Sequence, residues 1–452
     1  MSFKRNLFDR LVSWEKDPYR KPLILRGARQ VGKTTLVKEF GRNFAQKILL
    51  NLEKKEDRDF FEQNDNTKTI IESLFLRKNL RLDFKNTLLF IDEIQESPKA
   101  IQLLRYFYED FPDLRVIAAG SLLEFALKKV PSFPVGRVEY LYLHPLNFQE
   151  YLLATNNDLA LEQLNVAPIP SFAHTTLMER FHEYAIVGGM PEILKVYTET
   201  KSLTYLPKIY ESIIRTYQDD IEKYSHNETE RRVIKHIMSV AHGFLEKRIK
   251  FQNFGNSNYK SREVGEAFNS LNQAKILRLV FPTTSIEPPL LTDFKKSPRM
   301  QFLDTGLLNY MIGIQADMLL YDDLSLLYRG AIIPHLLSQE LISLGVTSDE
   351  MPNFWVREKT QSSAEVDLII KYKNLLMPIE IKSGSTGSLK SLHQFIDASP
   401  HHYAVRIYGG EFKVENATTP AGKQYILMNL PYYLGTKIHE YIVYFVEGKF
   451  HN

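Results

Sequence analysis

The chain of 452 residues contains no cysteine. Disulfide bonds, cysteine-ligated zinc, iron–sulfur clusters and thiol nucleophiles are therefore excluded. The sequence also lacks any run of the roughly 18 to 20 apolar residues that a membrane span requires. Acidic residues interrupt the N-terminal segment before a signal-peptide core can form. We therefore expect a cytoplasmic protein without a membrane segment.

An excess of charge of one sign is missing as well. The chain has 57 Lys and Arg against 54 Asp and Glu, and this net charge of +3 is too small for a polycation. Basic residues are enriched only locally, in 1–50 and 225–300, so any nucleic-acid surface must be local. With 44% hydrophobic and 25% charged residues the composition is globular, and the length predicts about three domains.

Hydrophobic periodicity divides the chain into four regions. Apolar strand-like runs alternate with helical stretches in 1–150, which predicts a parallel sheet wrapped by helices. Residues 151–225 have helical patterns and predict a helical lid. The order of a helix, a second helix from about Arg262 and a hairpin from Ile276 predicts a winged helix in 226–290. Residues 291–452 return to strand and helix alternation, so the overall fold class is α/β.

A phosphate-binding motif follows the first strand-like run. The pattern G-x-x-x-x-G-K-[ST] is complete, and its backbone N–H groups and the following helix are expected to cradle phosphate oxygens. Lys33 adds a point charge and Thr34 a magnesium ligand. The predicted nucleotide-binding residues are Gly27, Ala28, Arg29, Gln30, Val31, Gly32, Lys33, Thr34 and Thr35. The sequence therefore predicts a site for ATP and Mg²⁺.

Polar residues at the ends of later strands complete this prediction. The apolar run TLLFI ends in Asp92 and Glu93, and we expect Asp92 to hold magnesium and Glu93 to polarise an attacking water. Ser121 follows the next strand and is a candidate sensor of the γ-phosphate, although Gly-Ser is also ordinary turn chemistry. Arg137 is a candidate catalytic arginine acting in its own or a neighbouring subunit, or else a solvent-exposed loop residue.

Several ordered motifs resemble one family. GARQVGKTTL, LLFIDEIQ, AAGSLL, PVGRVEYLYLHPLNFQEY and VGGMPE are similar to the prokaryotic AAA-type ATPases of the AAA_14 family, which usually carry a C-terminal DUF4143 region. That family lies near the signal-transduction ATPases, whose G-x-P element contacts the nucleotide from the helical lobe. The resemblance therefore implies that Pro191 contacts the adenine side, and the alternative is a helix-breaking turn.

The last region contains a second candidate site. Glu340, Asp367, Glu380 and Lys382 resemble the PD-(D/E)xK nuclease pattern, in which carboxylates bind a divalent metal and a lysine activates water. Strand alternation places Glu380 and Lys382 on one face, and a downstream helix carries Gln394. The resemblance implies Glu340, Asp367 and Glu380 as metal ligands and Asp367, Glu380 and Lys382 as catalytic residues. An inactive nuclease fold that grips DNA or a partner is the alternative.

Basic residues of the middle region suggest how DNA could bind. Lys260, Arg262, Lys275 and Arg278 lie on or beside the predicted recognition helix and hairpin, where they could neutralise phosphates. Glu263 and Glu266 on the same helix argue against base readout, and a packing or interface role is the alternative. The sequence thus predicts an ATP-hydrolysing protein that couples its nucleotide state to a DNA-binding or nuclease-like domain, or a nucleotide-gated regulatory or scaffold protein. It leaves the oligomeric state open.

Overall fold

The protein is described from a computed structural model, which covers residues 3–64, 66–121, 123–127, 136–221, 225–315, 330–359, 362–382 and 388–448. The chain divides into two compact units. Unit 1 comprises Met1–Pro145 together with Gln273–Ile276 and Gly345–Asp349. Unit 2 comprises Leu146–Asn272, Leu277–Leu344 and Glu350–Asn452.

Unit 1 contains a parallel sheet with five strands in its described residues. The strands are β1 Leu23–Arg26, β2 Gln46–Asn51, β3 Thr87–Asp92, β4 Arg115–Ala119 and β5 Glu139–Tyr142. Their order is β2–β3–β4–β1–β5, and all neighbouring pairs are parallel. The carboxyl ends of β1 and β3 therefore meet the same edge of the sheet, where parallel sheets bind their ligands.

Helices cover the sheet of unit 1. They are α1 Leu7–Lys16, α2 Lys33–Phe40, α3 Lys55–Glu62, α4 Thr67–Arg77, α5 Pro98–Asp110 and α6 Leu123–Leu127. Ser97 caps α5 by accepting a hydrogen bond from Ala100 N, and Pro98 takes the first helical position, which needs no N–H. Buried Leu74 and Leu104 pack with Ile91 of β3, so the apolar faces of α4 and α5 hold the sheet.

Two later chain segments belong to unit 1 and lie beside its edge strand β5. Tyr142 N donates a hydrogen bond of 2.8 Å to the carbonyl oxygen of Val346. Lys275 forms an ion pair with Asp349. The edge of the sheet is thus partly covered by residues that are distant in sequence.

Unit 2 begins with helices and ends with a sheet. Its described helices are α7 Phe148–Ala154, α8 Asp158–Leu164, α9 His174–Val187, α10 Pro191–Thr200, α11 Leu206–Asp219, α12 Glu228–Val240, α13 Ser261–Gln273, α14 Thr305–Ile312, α15 Ile332–Leu344, α16 Lys390–Ala398 and α17 Ile438–Glu447. Helix α7 starts at a capping box, in which Asn147 and Glu150 bond each other's backbone N–H.

The strands of unit 2 form a large mixed sheet and a small hairpin. They are β6 Leu277–Val280, β7 Pro282–Thr283, β8 Arg299–Phe302, β9 Asn353–Lys359, β10 Ser362–Tyr372, β11 Leu375–Ile381, β12 Tyr403–Tyr408, β13 Lys413–Thr418 and β14 Gln424–Pro431. Within the described residues the large sheet has the order β13–β14–β12–β11–β10–β9–β7. Strands β9, β10 and β11 are antiparallel, whereas β12 is parallel to β11. Helix α16 makes the crossover that this parallel pair requires.

The predicted α/β fold class is confirmed, with a parallel sheet near the N-terminus and a second sheet near the C-terminus. The hairpin expected from Ile276 begins at β6, but its second strand is β8 at Arg299–Phe302, beyond the predicted end of the region at 290. The chain between them leaves the hairpin and adds β7 to the large sheet. The winged helix and the division at 150, 225 and 290 stay predictions. In the described ranges, none of the helices is long and apolar enough to cross a membrane.

Candidate functional site

The phosphate-binding loop connects β1 to α2. The loop starts at Gly27, whose φ is +147°. A Cβ atom on Gly27 would lie 2.2 Å from the carbonyl oxygen of Leu143. No side chain fits this conformation and this distance, so glycine is required here. The strand, the loop and the start of the helix thus have the geometry that the motif predicts.

Arg5 braces the loop, and sequence reasoning missed it. Its guanidinium donates one hydrogen bond to Val31 O at 3.0 Å and another to His144 O at 2.6 Å. The side chain is buried. The only sequence signal is its place in a basic N-terminal stretch, which does not distinguish it from exposed neighbours. Arg5 therefore has a positioning role in the phosphate-binding loop.

Lys33 is buried at the first position of α2. Its ammonium donates to the carbonyl oxygens of Gly27 at 3.0 Å and Ala28 at 2.8 Å. Burial lowers the pKa of Lys33 to about 8, while the carboxylates of Glu93 and Asp92 act in the opposite direction. The lysine is therefore held inside the loop, where an incoming phosphate would be a stronger acceptor than the carbonyl groups.

Thr34 and Asp92 meet as predicted from their motifs. The hydroxyl of Thr34 donates to Asp92 Oδ2 at 2.7 Å. Asp92 ends the fully buried strand β3, and burial raises the pKa of its carboxyl. A hydroxyl and a carboxylate in direct contact are oxygen donors that suit Mg²⁺.

Glu93 occupies a left-handed backbone position with φ +52° immediately after β3. Its Oε2 accepts a hydrogen bond of 2.6 Å from the amide of Gln95. This contact orients the carboxylate that is predicted to polarise water. Gln95 belongs to the LLFIDEIQ motif, but the sequence does not reveal its role, since a spacing of two residues does not show which side chains meet.

The other predicted nucleotide residues have varied surroundings. Ser121 is buried just after β4, which lies between β1 and β3 in the sheet. Arg29 pairs with Glu53 at 3.8 Å, and Thr35 is exposed. Gln30 and Val31 lie within the loop, where Val31 is buried and the side-chain oxygen of Gln30 has no hydrogen-bond partner among the described residues.

Arg137 lies on the surface of unit 1. Its guanidinium bonds Glu109 on α5 at 3.0 Å, and 44% of its side chain is exposed. Residues 134–135, which begin the motif PVGRVEYLYLHPLNFQEY, lie outside the described residues. A catalytic role for Arg137 stays a prediction.

The G-x-P segment lies in unit 2, where Pro191 is the first residue of α10. Gly189 N donates to Asp304 Oδ2 at 2.6 Å, and Gly189 O accepts from Leu146 N at 2.8 Å. Asp304 also accepts from Leu307 N at 3.0 Å, and burial raises its pKa to about 6. The segment is therefore fixed by buried hydrogen bonds, while the adenine contact of Pro191 stays a prediction.

Three of the predicted C-terminal site residues lie together, Asp367 on β10, Glu380 on β11 and Lys382 directly after β11. Asp367 is one step beyond the paired residues Leu368 and Ile379, which places it opposite Glu380. Asp367 Oδ2 accepts from Ile381 N at 2.8 Å, and Glu380 Oε1 accepts from Lys382 Nζ at 2.6 Å. Burial raises the pKa of Glu380 to about 7, and the charge of Asp367 acts in the same direction.

An arginine that no motif indicated enters the same cluster. Arg299 of β8 bonds Glu365 at 2.8 Å, and its guanidinium lies 3.2 Å from Glu246 and 3.6 Å from Asp367. Burial raises the pKa of Glu246 to about 7, against the opposing effect of Arg299. The carboxylates at this end of the sheet are therefore compensated by side chains of the protein itself.

Glu340 corrects the predicted ligand set, since the structure does not bring it to Asp367 and Glu380. Its carboxylate is completely buried and accepts from Phe148 N at 3.1 Å. It also contacts the hydroxyl of Tyr184 at 2.7 Å. Burial raises the pKa of Glu340 to about 8.

The side of α15 that carries Pro334 and Ser338 lines the cavity beside Asp367. Residues 338 and 340 point in different directions because they are two positions apart on a helix. In the part of the chain that the structure covers, no group of three His, Asp or Glu side chains could hold a metal ion. Gln394 lies on α16.

The basic residues of the middle region differ in how far their side chains are exposed and could contact phosphates. Arg262 has 88% of its side chain exposed and pairs with Glu266 on its own helix. Lys275 is paired with Asp349, and Arg278 is buried. The expectation that Lys275 and Arg278 offer their charges to phosphates is therefore wrong, because both are enclosed by protein. Lys260 and Arg262 remain candidates.

Family models match three segments of the chain. Residues 19–152 match an AAA domain (AAA_14), residues 178–318 a domain of unknown function (DUF8612), and residues 329–433 a domain of unknown function (DUF4143). The predicted combination of AAA_14 and DUF4143 is confirmed. The nuclease-like character of DUF4143 stays a prediction. No curated protein matches the chain.

Solved structures with similarity include three ATPase-related proteins. The Walker-type ATPase of Pyrococcus abyssi is 15% identical, with a TM-score of 0.44, over 69% of this chain and 96% of that one. A signal transduction ATPase with a tetratricopeptide repeat sensor from Pyrococcus horikoshii is 12% identical, with a TM-score of 0.28. The match covers 76% of this chain and 48% of that one. A variant of RuvB from Thermotoga maritima is 15% identical, with a TM-score of 0.26. The match covers 65% of this chain and 93% of that one.

Proposed function

Since the chain joins an AAA_14 ATPase domain to a DUF4143 domain, we propose that it binds and hydrolyses ATP and that its nucleotide state controls DNA binding by the C-terminal region. The AAA domain supports ATP binding and hydrolysis in general. The observation that carries the residue assignment is the hydrogen bond of 2.7 Å between Thr34 and Asp92. It joins the phosphate-binding loop to the strand that ends in the two acidic residues.

The residues of unit 1 have separate roles in this proposal. Lys33 and the N–H groups of the loop bind the β- and γ-phosphates. Thr34 and Asp92 would hold Mg²⁺, which neutralises charge on the phosphates when it is bound. Glu93 accepts a proton from the attacking water, and Gln95 keeps its carboxylate oriented. Ser121 and Pro191 remain proposed contacts of the γ-phosphate and the adenine.

ATP turnover and nucleotide binding by the purified full chain test these roles. Lys33→Ala should weaken binding of a fluorescent ATP analogue by about 10- to 100-fold, because a buried charged hydrogen-bond donor is lost. Glu93→Gln should keep that affinity and lower turnover by about 100-fold or more. Glu96→Gln, three residues along the same segment, is the matched control. Wild-type turnover in Glu93→Gln would contradict the proposed role of Glu93.

The proposal for the C-terminal region rests on Asp367 and Glu380, which lie on adjacent strands, and on Lys382 directly after the second strand. The ion pair between Glu380 and Lys382 and the arginine beside Asp367 favour binding over cleavage. A nucleotide-gated regulatory or scaffold protein with an inactive nuclease fold is the second candidate, and the same contacts support it.

Labelled duplex DNA separates these functions. We expect binding that weakens as salt rises, with no cutting in Mg²⁺ or Mn²⁺, both in the wild type and in Asp367→Ala. Cutting that Asp367→Ala abolishes would instead make the protein a nuclease. Absence of DNA binding at low salt would leave the regulatory or scaffold function.

A further inference from the structure

The carboxylates of Asp367 on β10 and Glu380 on β11 resemble a divalent-metal site, but protein groups already lie against three of their four oxygens. Asp367 Oδ2 accepts from Ile381 N, and Asp367 Oδ1 lies 3.6 Å from Arg299. Glu380 Oε1 is bonded to Lys382. Glu380 Oε2 is buried and has no hydrogen-bond partner among the described residues. Mg²⁺ in proteins is usually held by one or two carboxylates and several waters. Here the ion would have to compete with Lys382 for Glu380 and with Arg299 for Asp367, so this set does not fit the metal.

Arg299 is held at the cluster from several sides. Its guanidinium bonds Glu365 at 2.8 Å and Glu246 at 3.2 Å. It also lies over the ring of Phe354, 4.4 Å from the centroid, and only 11% of its side chain is exposed. The Arg299 guanidinium is planar and permanently charged, and it is held by acidic partners and an aromatic ring. It is therefore firmly fixed at the cluster.

The balance of charges in the cluster also disfavours a bound divalent metal. The cluster contains four carboxylates, those of Glu246, Glu365, Asp367 and Glu380. Arg299 and Lys382 pair with members of this set, and Arg248 lies 3.4 Å from Glu365. A divalent cation added beside Asp367 would stand next to a buried arginine, where repulsion is screened much less than in water.

We propose that Arg299 takes the place of the divalent cation in this cluster, so that the C-terminal region works without a metal of its own. The guanidinium neutralises the carboxylates permanently. The inference concerns unit 2 only and is independent of ATP hydrolysis in unit 1. It predicts that removal of this single charge converts the cluster into a cation site.

Binding of Mn²⁺ to the nucleotide-free full chain, followed by electron paramagnetic resonance, tests the proposal. We expect wild type and Asp367→Asn to give the same isotherm, because neither holds the ion at Asp367. Arg299→Met should gain a site that binds Mn²⁺ at least tenfold more tightly than wild type and that disappears in Arg299→Met/Asp367→Asn. Arg262→Met, which removes an exposed arginine from α13, is the matched control and should gain nothing.

Two results would overturn the inference. One is Mn²⁺ bound by the wild type and lost in Asp367→Asn, a comparison that needs no arginine variant. The other is a folded Arg299→Met chain that gains no site. If Arg299→Met is destabilised, its melting temperature should rise with Mn²⁺ while that of the wild type stays constant, and an equal response of both proteins would count against the proposal.

Discussion

Replacement of Glu340 by Gln tests whether this buried carboxyl is neutral in the folded protein. The hydroxyl of Tyr184 lies 2.9 Å from Leu146 O and 2.7 Å from Glu340, and it accepts a hydrogen bond from Gln339. A tyrosine hydroxyl has one proton. If the tyrosine donates this proton to Leu146 O, then the Glu340 carboxyl must supply the proton for the hydrogen bond between Glu340 and the tyrosine oxygen. The hydrogen-bond geometry therefore favours a protonated Glu340.

The direction and size of the effect follow from the pKa of Glu340. Burial raises this pKa from its ordinary value of 4.5 to about 8, and the charge of Glu150 acts in the same direction. Between these values the folded chain holds a proton that the unfolded chain has released, so stability falls as pH rises. A difference of one bound proton between the folded and unfolded chains, maintained over two pH units, changes the free energy of unfolding by about 3 kcal/mol. In a unit of this size that is about 6 °C in melting temperature.

Thermal unfolding at pH 5.5, 6.5 and 7.5 measures this effect. Glutamine keeps a neutral side chain at every pH, so the melting temperature of Glu340→Gln relative to wild type should rise by about 6 °C from pH 5.5 to 7.5. Glu266→Gln on the exposed face of α13 is the control and should follow the wild type. A constant difference between Glu340→Gln and wild type would refute the assignment of a neutral Glu340.

Two further substitutions test other parts of the molecule. If Arg137 stabilises the transition state, Arg137→Ala should lower ATP turnover by about 1000-fold and keep the nucleotide affinity. The control Arg105→Ala removes the other arginine bound to Glu109 and should leave turnover unchanged. Equal turnover rates in the two variants would exclude the catalytic role of Arg137. Gly189→Ala places a Cβ 2.1 Å from a backbone carbonyl oxygen and should cost about 3 kcal/mol of stability. Its control is Gly243→Ala, which enters open space, and melting temperatures that agree would show that the close approach is relaxed at no cost.

The geometry of the candidate nucleotide site could be predicted because contiguous residues encode it. The loop from Gly27 to Thr34 carries its own strand and helix signals. Asp92 and Glu93 end a short apolar run, which is typical of a buried strand and is one in the structure. In each case the chemistry depends on local backbone geometry, and the parallel sheet brings the two segments to one edge. The hydrogen bond between Thr34 and Asp92 needs no further tertiary information.

The C-terminal region could be predicted only in part, because its contacts join distant segments. Helical periodicity places Glu340 on a helix but does not show that Phe148 and Tyr184 are its partners. Strand β6 pairs with β8, and the chain between them contributes β7 to the large sheet. Local sequence signals do not show either pairing. Arg299 belongs to no motif, so its place beside Asp367 could be found only in three dimensions.

The segment beside β5 has a consequence for synthesis on the ribosome. Tyr142 N bonds Val346 O, and Val346 is made about 200 residues after Tyr142. At translation rates of about 5 to 20 residues per second, this delay is roughly 10 to 40 s. Throughout that time the nascent ATPase domain has an uncovered strand edge, which is the kind of surface that pairs with other chains. A fragment that stops near residue 150 would keep this edge permanently.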